Sequence, residues 1–198
     1  MINGARLRRD VAVIGGSAGA IESLLELVGK LPTGFEAAVA IVVHLNPYRE
    51  SKLADVLGRV TTIPVAPVSA GAPFERGHAY VAVADHHLLV GPRLSISRGP
   101  KEHLHRPAID PLFRSAAASF GARVVGVLLS GSTTDGVTGA AAIRAAGGII
   151  LVQDPAGARY SRLPATALTQ DTADASASNT ELAEMLTRLS RGEALDDR

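Results

Sequence analysis

The chain has 198 residues, no cysteine and a formal net charge of +1. With no Lys/Arg run longer than Arg8-Arg9, nothing marks it as a nucleic-acid or membrane-surface binder, and the missing cysteine excludes disulfides, thiolate nucleophiles and thiolate metal sites. An apolar fraction of 46% supports a sizeable core, while no run of about 18 apolar residues exists to insert into a membrane, so a single cytoplasmic domain over 1–198 is expected.

Val11–Ile14 reads as a strand, broken by Gly15-Gly16 and followed by Ser17 and a helix over Ile21–Leu31. Ala37–Val43 is a continuous apolar strand ending at His44. Ser51–Val60 reads as a helix and Ile63–Ala66 as a short strand. The stretch 71–99 is rich in Gly and Pro. Its short β runs Ala79–Val83, His87–Val90 and Leu94–Ser97 predict an antiparallel excursion turning at Gly91-Pro92. A helix over Pro111–Phe120, a strand over Val124–Leu129, a helix over Gly136–Ala146 and a strand over Ile149–Val152 complete the pattern. Continuous apolar strands between helices predict an α/β fold, a doubly wound and mostly parallel sheet covered on both faces. Strand order is not readable from this. The core is expected over about 10–170. Beyond it, Ser178-Asn-Thr-Glu181 is a capping box opening an amphipathic helix over about 179–190, and Gly192–Arg198 is expected to fray.

Gly15-x-Ser17-x-Gly19 fits the G-x-S-x-G pattern, in which a tight strand-to-helix turn exposes a serine hydroxyl beside helix-start N–H groups. The pattern alone also fits a phosphate-binding or purely structural turn. Two other strand ends carry chemistry. His44 closes the second strand, and Asp135 lies beyond the strand Val124–Leu129 in Ser130-Gly-Ser-Thr-Thr-Asp135. Parallel strands put all three at one sheet edge, where open α/β sheets bind ligands. Singly, His44 could be a surface residue and Asp135 a helix-start acid. Together they are the parts of an acyl-transfer triad: nucleophile, base, and the carboxylate that fixes the base's tautomer.

The order Ser17, His44, Asp135 differs from the Ser, Asp/Glu, His order of α/β-hydrolases. A dinucleotide site wants a third glycine near Ala20 and an acid where His44 stands.

The chain carries the collinear motifs Ile14-Gly-Gly-Ser17-Ala-Gly, Val42-Val-His44-Leu, Gly77-His-Ala-Tyr-Val-Ala, His105-Arg-Pro-Ala-Ile-Asp110-Pro-Leu-Phe113-Arg-Ser, Leu129-Ser-Gly131-Ser-Thr-Thr-Asp135-Gly and Gln153-Asp-Pro. By these, over roughly Val11–Leu168, it resembles the catalytic domain of the CheB-type chemoreceptor methylesterases. The resemblance implies a Ser/His/Asp triad, which falls on Ser17, His44 and Asp135. It implies hydrolysis of glutamate methyl esters on methylated chemoreceptor cytoplasmic helices, in some members glutamine deamidation, and a companion methyltransferase as a further partner. No cofactor is implied. The backbone N–H groups of Ala18 and the Gly131 loop, with Ser132 beside them, are expected to bind the oxyanion and position substrate.

The chain departs from the family pattern in several places. Ala18 stands for a common Thr, Ser132 for Met, Val43 for Gln, and Arg162-Leu163-Pro164 for Gly-Met-Pro. About ten residues precede the first strand, too few for the receiver domain of the well-studied chemotaxis enzymes. The segment His105–Ser115 is a candidate surface for entry to the site; the alternative is that Arg106 and Asp110 only form a local ion pair that holds a turn ahead of the helix. No carboxylate joins His86-His87 or His103-x-His105 at metal-ligand spacing, so no metal is expected. The alternatives are a non-catalytic scaffold that binds receptor or methyltransferase, and an esterase for another substrate.

Overall fold

The computed structural model describes residues 7–49 and 51–195. Seven strands form one parallel sheet: β1 (Val11–Gly16), β2 (Ala38–Val43), β3 (Val65–Pro67), β4 (Ala79–Val81), β7 (Val124–Leu128), β8 (Ile149–Gln153) and β9 (Ala175–Ala177), in the order β3-β4-β2-β1-β7-β8-β9. Two further strands, β5 (His87–Leu89) and β6 (Ser95–Ser97), pair antiparallel as a separate hairpin.

The sheet is double-faced because its strands alternate between two apolar layers. Ala12 and Ile14 of β1 join Leu24, Leu27 and Val28 of α1 (Ala20–Gly29), with α2 (Leu53–Gly58) and α6 (Asn179–Ser190) on that face. Val11 and Val13 join Ile109, Leu112 and Phe113 of α3 (Ile109–Phe120), with α4 (Val137–Ala145) and α5 (Arg162–Thr169) on the other. Each fully buried Leu, Ile or Phe contributes about 1.5–3 kcal/mol of transfer free energy. Gly126 at the centre of β7 has a packing role: a Cβ there would come within 2.5 Å of Ile150 and 3.2 Å of Phe113.

Three features differ from the sequence expectation. Ala79–Val81 leaves the antiparallel excursion and pairs parallel with both β2 and β3. Arg162–Thr169 is a helix that carries Pro164 in its first turn, where a missing N–H costs little. Ala175–Ala177 is an edge strand held on β8. The capping box is present: Ser178 Oγ accepts from Glu181 N–H, and Glu181 reaches back to Ser178 N–H. Within the segment expected to fray, Gly192 and Glu193 donate to Leu189 and Arg188 carbonyls; its last three residues lie outside the described residues.

From β1 the chain passes through β2 to the edge strand β3, steps back to β4 between them, then returns past β1 to β7 and winds the other way through β8 to β9. The loops after β1 and β7 therefore leave on opposite faces and open a crevice at the switch point between them.

Candidate active site

Register places the three sequence-selected side chains together. Gly16 of β1 pairs with Val43 of β2, so Ser17 and His44 are the next residues on adjacent parallel strands. On the other side Ser17 N–H donates to Ser130 O at 3.0 Å, which joins the serine turn to the loop that ends at Asp135. The turn depends on its glycines. Gly19 has φ +71, and a Cβ on Gly16 would lie 2.4 Å from Ala20 Cβ.

His44 Nε2 meets Asp135 Oδ2 at 2.8 Å, with the imidazole 7% and the carboxylate 0% exposed. A carboxylate facing Nε2 places the proton there, so Nε2–H donates and Nδ1 keeps its lone pair. Nδ1 is buried and has no hydrogen-bond partner among the described residues. The ring is thus used in the opposite sense from the familiar triad, in which Nδ1 faces the carboxylate.

Asp135 also accepts N–H bonds from Ile109 at 2.7 Å and Asp110 at 3.0 Å. Burial alone pushes its carboxyl upward. The His44 bond and the two N–H groups outweigh that and hold it below the usual carboxylate range. The segment 105–115 therefore does more than border the site, because the start of its helix grips Asp135. Arg106 pairs with Asp85, at 3.0 and 2.6 Å, and not with Asp110 as the sequence suggested. Asp110 meets His103 Nε2 at 3.0 Å.

The oxyanion expectation needs one correction. Gly131 N–H donates to Tyr160 O at 2.9 Å and Gly131 O accepts from Leu163 N–H, so this peptide is committed to α5 and its approach. Gly131 still belongs beside the serine, since a Cβ there would lie 3.1 Å from Ser17 Cβ. Ala18 N–H has no protein partner among the described residues, and Ser132 is exposed with none. Ala18 O accepts from Ser130 Oγ at 2.8 Å, and Ser130 N–H donates to buried Gln153 at 2.8 Å. Ser130, Gln153 and Tyr160 thus support the serine turn. Of these, Ser130 and Gln153 lie in the motifs read from the sequence, and Tyr160 had no sequence signal.

One group of potential metal ligands occurs among the described residues: His103, Asp110 and Asp135 bring ligand atoms within 4.8 Å. Folding thus supplies the carboxylate that linear spacing did not. Three of its four carboxylate oxygens are already taken by backbone N–H groups and His44, and the fourth, Asp110 Oδ2, meets His103 Nε2, which leaves poor ligands for a cation. A cleft of about 580 Å³ opens at the same sheet edge, beside the His44 loop, lined by Pro47, Tyr48, Val83 and His86. No helix among the described residues is long and apolar enough to cross a membrane.

A doubly wound sheet thus carries a serine, an imidazole and a buried carboxylate at its switch point, the parts of an acyl-transfer triad. The family model described as CheB methylesterase matches residues 12–186, and the chain belongs to that family. A Rhodospirillum rubrum relative named protein-glutamate methylesterase/protein-glutamine glutaminase 1 is 36% identical over 76% of this chain and 41% of its own length. A Leptospira interrogans relative is 31% identical over 91% of this chain and 94% of its own. The crystal structure of the Thermotoga maritima CheB methylesterase catalytic domain superposes with a TM-score of 0.87 at 26% identity, covering 91% of this chain and 98% of that one. The chain spans 41% of the R. rubrum relative and 53% of a Trichodesmium erythraeum relative, so the match is to their catalytic part.

Proposed function

We propose that this chain is a protein-glutamate methylesterase that removes methyl esters from glutamate side chains on the cytoplasmic helices of chemoreceptors. The observation that carries the reading is the buried His44–Asp135 pair with its unoccupied Nδ1, one strand spacing from Ser17. Ser17 Oγ attacks the ester carbonyl while His44 Nδ1 takes its proton. Ala18 N–H stabilises the oxyanion; one such donor is worth about 10²–10³ in rate. The proton returns through His44 to the leaving methoxide, methanol departs, and water activated by Nδ1 cleaves the acyl-enzyme. Asp135 holds the tautomer throughout and balances the imidazolium.

The same acyl-enzyme route hydrolyses a glutamine amide, which supports deamidation as a second outcome at this site. The experiment compares turnover of a methyl-esterified chemoreceptor cytoplasmic fragment with that of small alkyl esters. Strong preference for the receptor fragment supports the proposal. Equal or better turnover of small esters, with the receptor fragment untouched, assigns the site to another substrate.

A further inference from the structure

His105 lies face to face with His44, with ring centroids 3.6 Å apart and planes inclined by 14°. A built turn puts it there. Glu102 N–H donates to His105 O at 3.2 Å and His105 N–H to Glu102 O at 2.8 Å. Both central residues take left-handed backbone, His103 at φ 50 and Leu104 at φ 68. Two successive non-glycine residues in that region mark a tight two-residue turn that stores strain, and such strain persists only where the surroundings enforce it. Here they do. His103 is tied to Asp110 at 3.0 Å, and the Arg106 guanidinium is tied to Asp85 and to the carbonyls of Arg98 and Gly99.

His44 needs a second restraint. The Nε2–Asp135 bond fixes one edge of the ring and leaves it free to pivot about that bond, which would carry Nδ1 away from the serine. A flat neighbour at van der Waals distance stops the pivot and keeps water off one face. It also presents π density to the imidazolium that forms when His44 takes the serine proton, provided the neighbour is neutral. Burial first, and the adjacent His44 next, push the His105 imidazole down from its ordinary value, which favours the neutral form.

We infer that His105 is a positioning residue for the serine reaction, an uncharged plate that locks the His44 ring with Nδ1 toward Ser17 and steadies its protonated form. The inference rests on the reading of His44 as the base.

The test uses a fluorophosphonate probe, so it needs no knowledge of the natural substrate. The Ser17 Oγ–P bond forms as the P–F bond breaks, fluoride leaves, and His44 receives the serine proton. The maximal labelling rate and the half-saturating probe concentration are measured for wild type, Ser17→Ala, His105→Ala and His105→Phe, with circular dichroism as the check on folding. In His105→Ala the maximal rate falls roughly tenfold to a hundredfold, the scale of a misplaced catalytic group, with half-saturation nearly unchanged. His105→Phe keeps a flat neutral face and restores most of the rate. Wild-type labelling with His105→Ala equally fast overturns the inference and leaves the serine reading standing. His105→Phe as slow as His105→Ala also overturns it, since the imidazole nitrogens and not the plate would then matter. Absence of labelling in wild type, or its persistence in Ser17→Ala, overturns the serine reading and this inference with it.

Discussion

Asp110 and Asp135 cap each other's helices. Asp135, just ahead of α4, accepts the N–H groups of Ile109 and Asp110 at the start of α3, while Asp110 Oδ1 accepts those of Gly136 and Gly139 at the start of α4, at 3.0 and 2.6 Å. Two helix N-termini thus face two buried carboxylates, which offsets part of the cost of burying them. The exchange fixes the carboxylate that holds His44, so the geometry of the base depends on the packing of two helices.

Asp135→Asn keeps an acceptor for Asp110 N–H, but the amide N–H it offers His44 Nε2 also faces Ile109 N–H, which met the same Oδ2, so some stability is lost as well. Nε2 must then accept, the proton moves to Nδ1, and the base is lost. Turnover is expected to drop by about 10⁴ with the fold retained, the size seen when a triad carboxylate becomes an amide. Steady-state methanol release beside a thermal melt checks it, and a loss no larger than a few-fold would contradict the tautomer assignment.

Asp110 behaves differently. Burial, opposed by the Gly139 N–H, raises its carboxyl above the ordinary 3.8. The protonated form is therefore the one the fold favours. Its stabilisation is present below that ordinary value and lost as pH rises through the folded one. At neutral pH Asp110→Asn, which preserves the Oδ1 acceptor, is expected to melt at or above the wild-type temperature. Asp110→Ala leaves two buried N–H groups without a partner and is expected to cost about 1–3 kcal/mol for each. Calorimetry of the pair separates charge from hydrogen bonding.

His105 gives the opposite sign. Its folded value lies below the ordinary 6.5, chiefly from burial. The unfolded chain then binds the proton more readily, so the contribution is complete above 6.5 and is lost as pH falls from there through the folded value. Thermal stability is expected to decline on acidification through this window, and His105→Phe to flatten the decline. A melt series across the histidine range checks it.

Gly131→Ala introduces a Cβ 2.9 Å from Leu163 Cδ2 and 3.1 Å from Ser17 Cβ. Overpacking of this kind costs about 1–3 kcal/mol. Activity is expected to fall by more than that loss of stability explains, because one of the neighbours that must yield is the nucleophile. Measuring turnover well below the melting temperature separates the two effects.

The meeting of Ser17, His44 and Asp135 at one sheet edge was legible because strand ends are legible. Val11–Ile14, Ala37–Val43 and Val124–Leu129 are long apolar runs, and the loop leaving the carboxyl end of each lands on one edge of any parallel sheet. Elements that rely on partners were not. Ala175–Ala177 has three small residues and no apolar signature, and pairing with β8 alone makes it a strand. Ala79–Val81 sits among hairpin strands in sequence but pairs with β2 and β3 in space. Arg162–Thr169 is short, holds a proline and lacks a side-chain cap. Within the site, the ring nitrogen of His44 that faces Asp135, the His105 stack and the commitment of Gly131 N–H to Tyr160 are tertiary facts that no local pattern encodes.

The most direct measurement is methanol release from a methyl-esterified chemoreceptor cytoplasmic fragment by wild type and Ser17→Ala, at matched concentration and with matched melting curves. The account predicts release by wild type and none above background by Ser17→Ala. Turnover retained in Ser17→Ala would contradict it, since the hydroxyl placed between His44 and the Ser130 loop would then not be the nucleophile.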